Sequence, residues 1–226
     1  MIPRSISIEP CGATDIVLLP NIVSKNLELR SLEAGNNPLT TVDVSNNINL
    51  QYLSLNGTQL SEIDLSSNIN LIDLQLNHTS LSSLNVTNNI NLRGLLLISY
   101  EYDTNQNTIT TIDISNNTAL ENLRIGGNQF TGIDFSQNTN LRNLGLVGKL
   151  ITAIDVSNLS SLEYFYADST SLLDLDFSQN TNLNGFELHS NKDLVSLNIQ
   201  NGNNANISNV YLYNNPKLGC ITVDSE

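Results

Sequence analysis

Oxygen-bearing side chains return along this 226-residue chain at regular intervals. The stretch "LTTVDVSNNINL" begins at Leu39, and similar stretches begin at Leu60 and Leu81, 21 residues apart. Each stretch places a carboxylate or an amide two residues before a hydroxyl. Such oxygens bind Ca²⁺, and paired carboxylates can act as the acid and base of an enzyme. The row therefore has three interpretations: a cation site, a catalytic site or internal scaffolding.

Scaffolding is the favoured interpretation of the aspartates. A compact calcium loop concentrates several oxygens within one turn, whereas each repeat here contributes at most one aspartate at this position. An aspartate can instead accept the backbone N–H two residues further on, as an Asx turn. The row comprises Asp43, Asp64, Asp113, Asp134, Asp155 and Asp176. Weak Ca²⁺ binding along Asp113, Asp134, Asp155 and Asp176 stays open as the alternative, and no cofactor is expected.

The spacing of the other reactive residues gives little support for a catalytic site. His78 and His189 lie about five repeats apart, which separates them by roughly 25 Å at ~4.8 Å per rung. They cannot share a metal or a proton over that distance. An acid–base carboxylate pair needs two different environments, which a row of equivalent positions does not offer. The sequence therefore predicts a protein that is not an enzyme.

The repeat itself follows the pattern LxxLxLxxNxLxxLDLSxNxN. Each unit has two similar halves, LxxLxLxxNx and LxxLDLSxNxx. Both leucines of an LxL segment point to one side of a strand, so each half supplies a short strand with two inward anchors. One unit cannot bury this apolar face alone, but stacked units form a continuous core. Units begin at Leu29, Leu50, Leu71, Leu92, Leu120, Leu141, Leu162, Leu183 and, degenerately, Ile207.

This pattern resembles the 21-residue leucine-rich repeats of bacterial proteins, as in internalin J and many secreted proteins of the Bacteroidetes. The resemblance implies a right-handed leucine-rich-repeat solenoid acting in adhesion or recognition at the cell surface. Internalin J carries a ladder of cysteines at the sixth repeat position. Here that position holds Ala34, Leu55, Leu76, Leu97, Ile125, Leu146, Ala167, Leu188 and Leu212.

The expected architecture is a β-rich solenoid of about nine coils, with short parallel strands on both sides and little or no helix. Residues 1–28 are predicted to form an N-terminal cap, and residues 29–206 form eight repeats. The fourth repeat has 28 residues instead of 21, which indicates an insertion near residues 99–106. Residues 207–226 form a degenerate last repeat.

Two rows of polar residues mark the predicted turns. The ninth position of most units is Asn or Thr, and a second row of asparagines occupies the other half of each unit. Side-chain amides satisfy backbone groups at buried turns, and we expect stacked amides to bond along the axis as a ladder. The sixth unit breaks both rows with Lys149 and Leu159, which predicts locally rearranged turns.

Candidate binding residues are those that escape the repeat. None of the seven tyrosines occupies a consensus apolar position, and exposed tyrosines offer rigid contact area with a polar tip. Gly185 among them predicts a shallow groove, while ordinary residues of a half-exposed strand are the plain alternative. The candidate surface comprises Tyr52, Tyr100, Tyr102, Arg124, Tyr164, Tyr166, Glu187, His189, Tyr211 and Tyr213.

The charge of the chain limits its partners. The net charge is −13, and charged residues are only 14% of the sequence. A nucleic-acid partner is not expected, since no basic face can displace phosphate counterions. No apolar run approaches the roughly 20 residues that span a bilayer, so no membrane insertion is expected.

The sequence thus predicts a monomeric, non-enzymatic recognition or adhesion module of a secreted or cell-surface bacterial protein. Its expected partner is a protein bound on the exposed strand face. A glycan-binding module is the first alternative, since tyrosines and asparagines suit sugars. A passive spacer within a larger protein is the second.

Overall fold

A computed structural model describes residues 3–10, 23–99, 107–127 and 129–225. Its main element is a ten-stranded parallel sheet in which each coil contributes one strand. The strands, in spatial order, are β1 Ser5–Ser7, β2 Ser31–Glu33, β3 Tyr52–Ser54, β4 Asp73–Gln75, β5 Gly94–Ile98, β6 Asn122–Gly126, β7 Asn143–Val147, β8 Tyr164–Asp168, β10 Gly185–His189 and β12 Asn209–Tyr211. The predicted β-solenoid of about nine coils is confirmed.

The inward leucines set the register of this sheet. Leu32, Leu53 and Leu74 pair with one another on successive strands, and all three are fully buried. Their side chains fill one continuous aliphatic core along the solenoid axis. Burying a leucine stabilises the fold by about 1.5–3 kcal/mol, so a register shift that turned these residues outward would be costly.

Strands on the second side are restricted to the C-terminal end of the described chain. A three-stranded parallel sheet is formed there by β9 Asp174–Asp176, β11 Ser196–Asn198 and β13 Cys220–Thr222. Side chains tie these coils together, because Ser196 donates to Asp174 and Asn198 Nδ2 donates to Asp176 Oδ1 at 3.1 Å. The expectation of strands on both sides therefore holds for three coils, and in the other described coils this side runs through turns without ladder pairing.

The buried asparagines bond differently from the predicted ladder. Asn68 Nδ2 donates to the carbonyls of Val44 and Asn47 in the preceding coil, each at 3.0 Å. The same pair of bonds recurs at Asn47, Asn89, Asn117, Asn138 and Asn180. The amide therefore bridges to main chain rather than to the next amide, because two carbonyls of the neighbouring turn converge on it.

The sixth coil is rearranged in one turn only. Leu159 is fully buried, and its N–H donates to the Val156 carbonyl at 3.0 Å, the bond that asparagine makes at the equivalent position of other coils. The prediction of a rearranged turn is wrong there, since leucine fills the space of the amide. Beside Lys149, however, Gly148 has φ 129°, whereas the equivalent residues Gly57 and Gly127 have 68° and 67°. The prediction is right for that turn.

Helix is scarce in the described chain. Residues 23–24 are helical, and Asn204–Asn206 form a single 3-10 turn. None of the described helical segments has the length and apolar character needed to cross a membrane. Residues 11–22 of the predicted N-terminal cap and 100–106 of the predicted insertion lie outside the described residues. At the base of that insertion, the N–H of Asn107 donates to Ser99 Oγ at 3.2 Å.

Candidate functional site

The outward side of the ten-stranded sheet is here called the strand face. It is built from the third, fifth and seventh residues of each coil, because these alternate with the buried anchors along each strand. On β8, for example, Phe165 and Ala167 are buried while Tyr164, Tyr166 and Asp168 reach the surface. The variable residues of the repeat therefore share one surface.

The three C-terminal strands of this sheet bring together most of the predicted binding residues. Tyr166 on β8 lies directly beside Glu187 on β10, which lies beside Tyr211 on β12. Asp168 is the register partner of His189. We call this surface the aromatic patch, defined as Tyr164, Tyr166, Asp168, Glu187, His189, Tyr211 and Tyr213.

Glu187 is the hub of the aromatic patch. The hydroxyl of Tyr164 donates to its Oε1, and His189 Nε2 lies 3.1 Å from its Oε2. On the neighbouring strand, Asp168 accepts a long hydrogen bond from the Tyr166 hydroxyl at 3.3 Å and a shorter one from Ser169 Oγ at 2.9 Å. Each carboxylate thus fixes the ring of a tyrosine, which reduces the conformational entropy that binding would cost.

Three rings of the patch form a row across successive coils. The centroids of Tyr166 and His189 are 5.9 Å apart, and those of His189 and Tyr213 are 6.5 Å apart. The ring planes are tilted by 55° and 56°, so neighbouring rings do not lie flat on one another. Tyr211 and Tyr213 are 53% and 73% exposed, so both rings of this coil are accessible from the strand face.

The electrostatics of the patch follow from these contacts. Partial burial, followed by the hydrogen bond to Glu187, raises the pKa of Tyr164 to about 12. The hydrogen bond from Tyr164 holds the pKa of Glu187 below its usual value, with smaller contributions from His189 and Arg124. Glu187 therefore stays ionised and Tyr164 stays protonated through the neutral range.

Two glycines shape the patch by letting long side chains lie across them. A Cβ at Gly185 would lie 3.2 Å from the Tyr164 ring, so Tyr164 crosses the glycine to reach Glu187. The groove predicted at Gly185 is therefore filled, because this ring occupies the space. A Cβ at Gly145 would lie 3.0 Å from Arg124 Cγ, so the exposed Arg124 extends over the sixth coil toward the patch.

The remaining predicted residues do not join this cluster. Tyr52 lies on β3, five strands from β8 along the same sheet, which is about 24 Å at ~4.8 Å per strand. Its pKa is raised by partial burial and by the charge of Glu33. Tyr100 and Tyr102 lie outside the described residues.

The aspartate row forms the Asx turns proposed for it. Asp113 Oδ1 accepts the Ser115 N–H at 3.0 Å and the Ser115 hydroxyl at 2.6 Å. These two bonds hold the pKa of Asp113 below its usual value of 3.8. The backbone bond recurs at Asp43, Asp64, Asp134, Asp155 and Asp176. Within the described residues, no three His, Cys, Asp or Glu side chains converge on a possible metal position.

One exposed feature was missed by the sequence reasoning. Leu27, Ile48, Ile69 and Ile90 stand one coil apart at the edge of the solenoid, and each is more than half exposed. Later coils carry Thr118, Thr139 and Thr181 at the same exposed position. The signal was the repeated "NIN" of the first three units, which is replaced by "NTA" or "NTN" further along.

Comparisons with known proteins identify the fold. No family model and no curated protein matches the chain. Among solved structures, it is similar to the functional domain of InlJ from Listeria monocytogenes, with 24% identity over 97% of this chain and a TM-score of 0.60. A leucine-rich-repeat protein from Leptospira interrogans matches at 24% identity over 80% of this chain, with a TM-score of 0.61. An internalin, InlF, from L. monocytogenes matches at 19% identity, covering 97% of this chain and 66% of its own, with a TM-score of 0.59.

These similarities establish a leucine-rich-repeat solenoid. The chain spans 58% of the InlJ structure and 52% of the Leptospira one. The InlJ domain includes a cysteine ladder. In this chain the sixth repeat position is aliphatic throughout, and it is buried in the first eight coils. In this chain the sixth position is therefore part of the aliphatic core rather than a row of thiols.

Proposed function

We propose that this chain is a non-enzymatic recognition module that binds a protein partner through the aromatic patch. The observation that carries the proposal is the ring row Tyr166–His189–Tyr213, in which Asp168 and Glu187 hold the first two rings and the third is largely exposed. Interfaces draw most of their binding energy from a few well-packed aromatic and arginine side chains. Rigid tyrosines serve this purpose because they contribute large area at low entropic cost.

The packing beneath the patch supports this role. Phe165 and Phe177 meet edge to face with centroids 5.1 Å apart, and Phe177 stacks with Phe186 at 6.0 Å. All three phenylalanines are buried, and two of them alternate with patch residues on β8 and β10. The outward tyrosines therefore stand on a core of large rings, which holds the strands that position them.

Arg124 extends the same surface upstream. It is exposed, its carbon stem lies over Gly145, and its charge favours the ionised form of Glu187. Arginine is enriched at the energetic centres of interfaces. Together with the patch it gives a recognition surface five strands wide, from β6 to β12. The proposal places this module outside the cell, in keeping with the internalins that share its fold.

The test compares the wild-type chain with Tyr211→Ser/Tyr213→Ser and with the control Tyr52→Ser. Tyr52 is a tyrosine of the same face outside the patch, so it matches the change in chemistry. Each form is probed on an array of extracellular proteins and on a glycan array. We expect protein ligands that bind the wild type and Tyr52→Ser but lose at least about tenfold in affinity with the double variant, equivalent to about 1.4 kcal/mol.

Other outcomes would replace the proposal. Ligands found only on the glycan array, and lost with the double variant, would make this a sugar-binding module. Binding that is equal for all three forms would move the interface away from the patch. No ligand on either array would favour a passive spacer.

A further inference from the structure

We propose that the aromatic patch accommodates a cationic side chain, arginine or lysine, of its partner. This inference rests on the proposed function and adds the chemistry of the contact. The faces of aromatic rings attract cations placed within about 6 Å of the centroid. Tyr166, His189 and Tyr213 form a series of rings 5.9 and 6.5 Å apart, so a cation lying on the solvent side of this row comes within reach of two neighbouring rings.

The carboxylates that accept from two of the patch tyrosines strengthen this attraction. Tyr164 donates its hydroxyl hydrogen to Glu187, and Tyr166 donates to Asp168. A phenol that donates to a carboxylate has a more electron-rich ring, because the oxygen gains negative character. The negative face of the Tyr166 ring, the first of the row, is then reinforced for a cation that contacts it.

The distribution of charge favours a cation at the downstream end. Among the described residues at the outward positions of β8, β10 and the last coil, the acidic groups are Asp168 and Glu187, and no lysine or arginine is present. His189 faces Glu187, so its ring is held by a carboxylate rather than by a second cation. Arg124 lies upstream, separated from Tyr166 by the strand that carries Gly145. The exposed rings of Tyr211 and Tyr213 are therefore on the negative side of the patch.

The geometry is less suited to a sugar or an anion. A sugar ring stacks on a flat aromatic surface, whereas the neighbouring planes here are tilted by 55° and 56°. An anion would meet Glu187 and Asp168 at close range. The net charge of −13 also attracts cationic partners and accelerates their encounter at low ionic strength.

The experiment titrates small probes into the whole chain and follows the tyrosine and histidine ring signals by NMR. The cationic probe is N-acetyl-arginine-amide, and the matched neutral probe is N-acetyl-citrulline-amide, which has nearly the same shape without the charge. N-acetyl-glutamate-amide and cellobiose represent an anion and a sugar. We expect the arginine probe to shift the rings of Tyr211, Tyr213 and His189, and to bind about 5–10-fold more tightly than the citrulline probe, in the range of charged contacts at exposed sites.

Variants locate the contact. Tyr213→Leu keeps an apolar side chain but removes the ring, and we expect about 2–5-fold weaker binding of the arginine probe. Glu187→Gln removes the charge while keeping a side chain of the same size, and we expect a similar loss. Tyr52→Leu is the control and leaves the affinity unchanged. The spectrum of each variant away from the substituted coil reports whether it is folded.

The inference is overturned if arginine and citrulline bind equally, if neither shifts the patch signals, or if cellobiose alone does so. None of these results would contradict protein recognition by the patch, because array binding that is lost with Tyr211→Ser/Tyr213→Ser tests that function separately. Conversely, arginine binding at the patch with no patch-dependent array ligand would retain the cation site and reject the proposed partner class.

Discussion

Tyr164 on β8 reaches across Gly185 to donate its hydroxyl hydrogen to Glu187 on β10. This single bond links two adjacent strands of the solenoid and organises the aromatic patch around one carboxylate. It depends on glycine at position 185, since a Cβ there would lie 2.9 Å from the Asn209 carbonyl and 3.2 Å from the Tyr164 ring.

Glu187→Gln should lower the pKa of Tyr164 from about 12 toward its ordinary value of 10.0. Two of the causes that raise this pKa, the hydrogen bond to a carboxylate and its charge, are removed, while partial burial is retained. Because the folded pKa is the higher one, Tyr164 stabilises the fold fully below pH 10, and this contribution is lost as pH rises through about 12. Ultraviolet titration of tyrosinate in the wild type, in the variant and in Tyr164→Phe measures the change. Identical curves for the wild type and Glu187→Gln would contradict the hydrogen-bonded hub.

The Asx turns should make the fold sensitive to acid. Serine hydrogen bonds hold the pKa values of Asp113, Asp134 and Asp155 below 3.8 in the folded chain. The stabilisation that these aspartates give is therefore complete above the pKa of the unfolded chain. It is lost as pH falls below that pKa through the lower pKa values of the folded chain. The triple variant Asp113→Asn/Asp134→Asn/Asp155→Asn keeps the accepting oxygen, as Asn85 does for Thr87 N–H at 3.0 Å.

Melting temperatures between pH 7 and pH 2.5 test this prediction. The wild type should lose stability more steeply below about pH 4 than the triple variant does, in line with the ordinary carboxyl pKa. At pH 7 the wild type should be the more stable of the two, because an ionised carboxylate accepts these bonds more strongly than a neutral amide does, and the two should converge toward pH 2.5. Parallel curves over the whole range would indicate that these carboxylates contribute nothing to the turns.

Removal of calcium should leave the stability of the chain unchanged. The Oδ1 atoms of the aspartate row already accept serine N–H groups, and no coil offers more than one carboxylate at this position. A Ca²⁺ site saturated at 100 times its Kd would add about 2.7 kcal/mol, or about 5–10 °C for a chain of this size. Thermal melts with excess EDTA and with excess Ca²⁺ should therefore coincide. A difference of several degrees would revive the cation interpretation.

Asn117→Ala should destabilise the fold by about 2–3 kcal/mol, whereas Asn117→Leu should cost less. The amide of Asn117 donates to Val86 O at 3.0 Å and to Asn89 O at 2.8 Å, and alanine removes both bonds and leaves a cavity. Leucine fills the site, as Leu159 does in the sixth coil with the turn preserved. Denaturant unfolding of both variants measures the difference. A leucine variant no more stable than alanine would show that the amide bonds, rather than the filled volume, maintain this turn.

The fold was predictable from the sequence because the same local pattern occurs in many successive coils. Leu53 and Leu55 alternate with outward residues, and the same alternation in every coil leaves one way to bury the apolar side. The Asx turns were predictable for the same reason, since Asp and Ser recur two residues apart. Departures were harder to predict: Leu159 breaks the pattern without changing its turn, because leucine branches at Cγ as asparagine does and its N–H makes the same backbone bond.

The site was only partly predictable. Positions three, five and seven identify Tyr164, Tyr166 and Tyr211 as outward residues, and the strand register then brings them together. The bonds to Glu187 and Asp168 depend on how side chains lean between neighbouring coils, which spacing does not specify. For that reason the groove expected at Gly185 proved to be filled by Tyr164. The exposed row of Ile48, Ile69 and Ile90 was missed because it lies in the most regular part of the repeat.

Position-specific photo-crosslinking tests the central claim, recognition through the aromatic patch, most directly. The substitutions Tyr211→p-benzoylphenylalanine and Tyr52→p-benzoylphenylalanine place the same reactive group at the patch and on β3 of the same face. Each variant is irradiated with the protein ligand that the array identifies. We predict strong crosslinking from position 211 and little from position 52. Equal crosslinking from both positions, or crosslinking from position 52 alone, would contradict recognition at the patch.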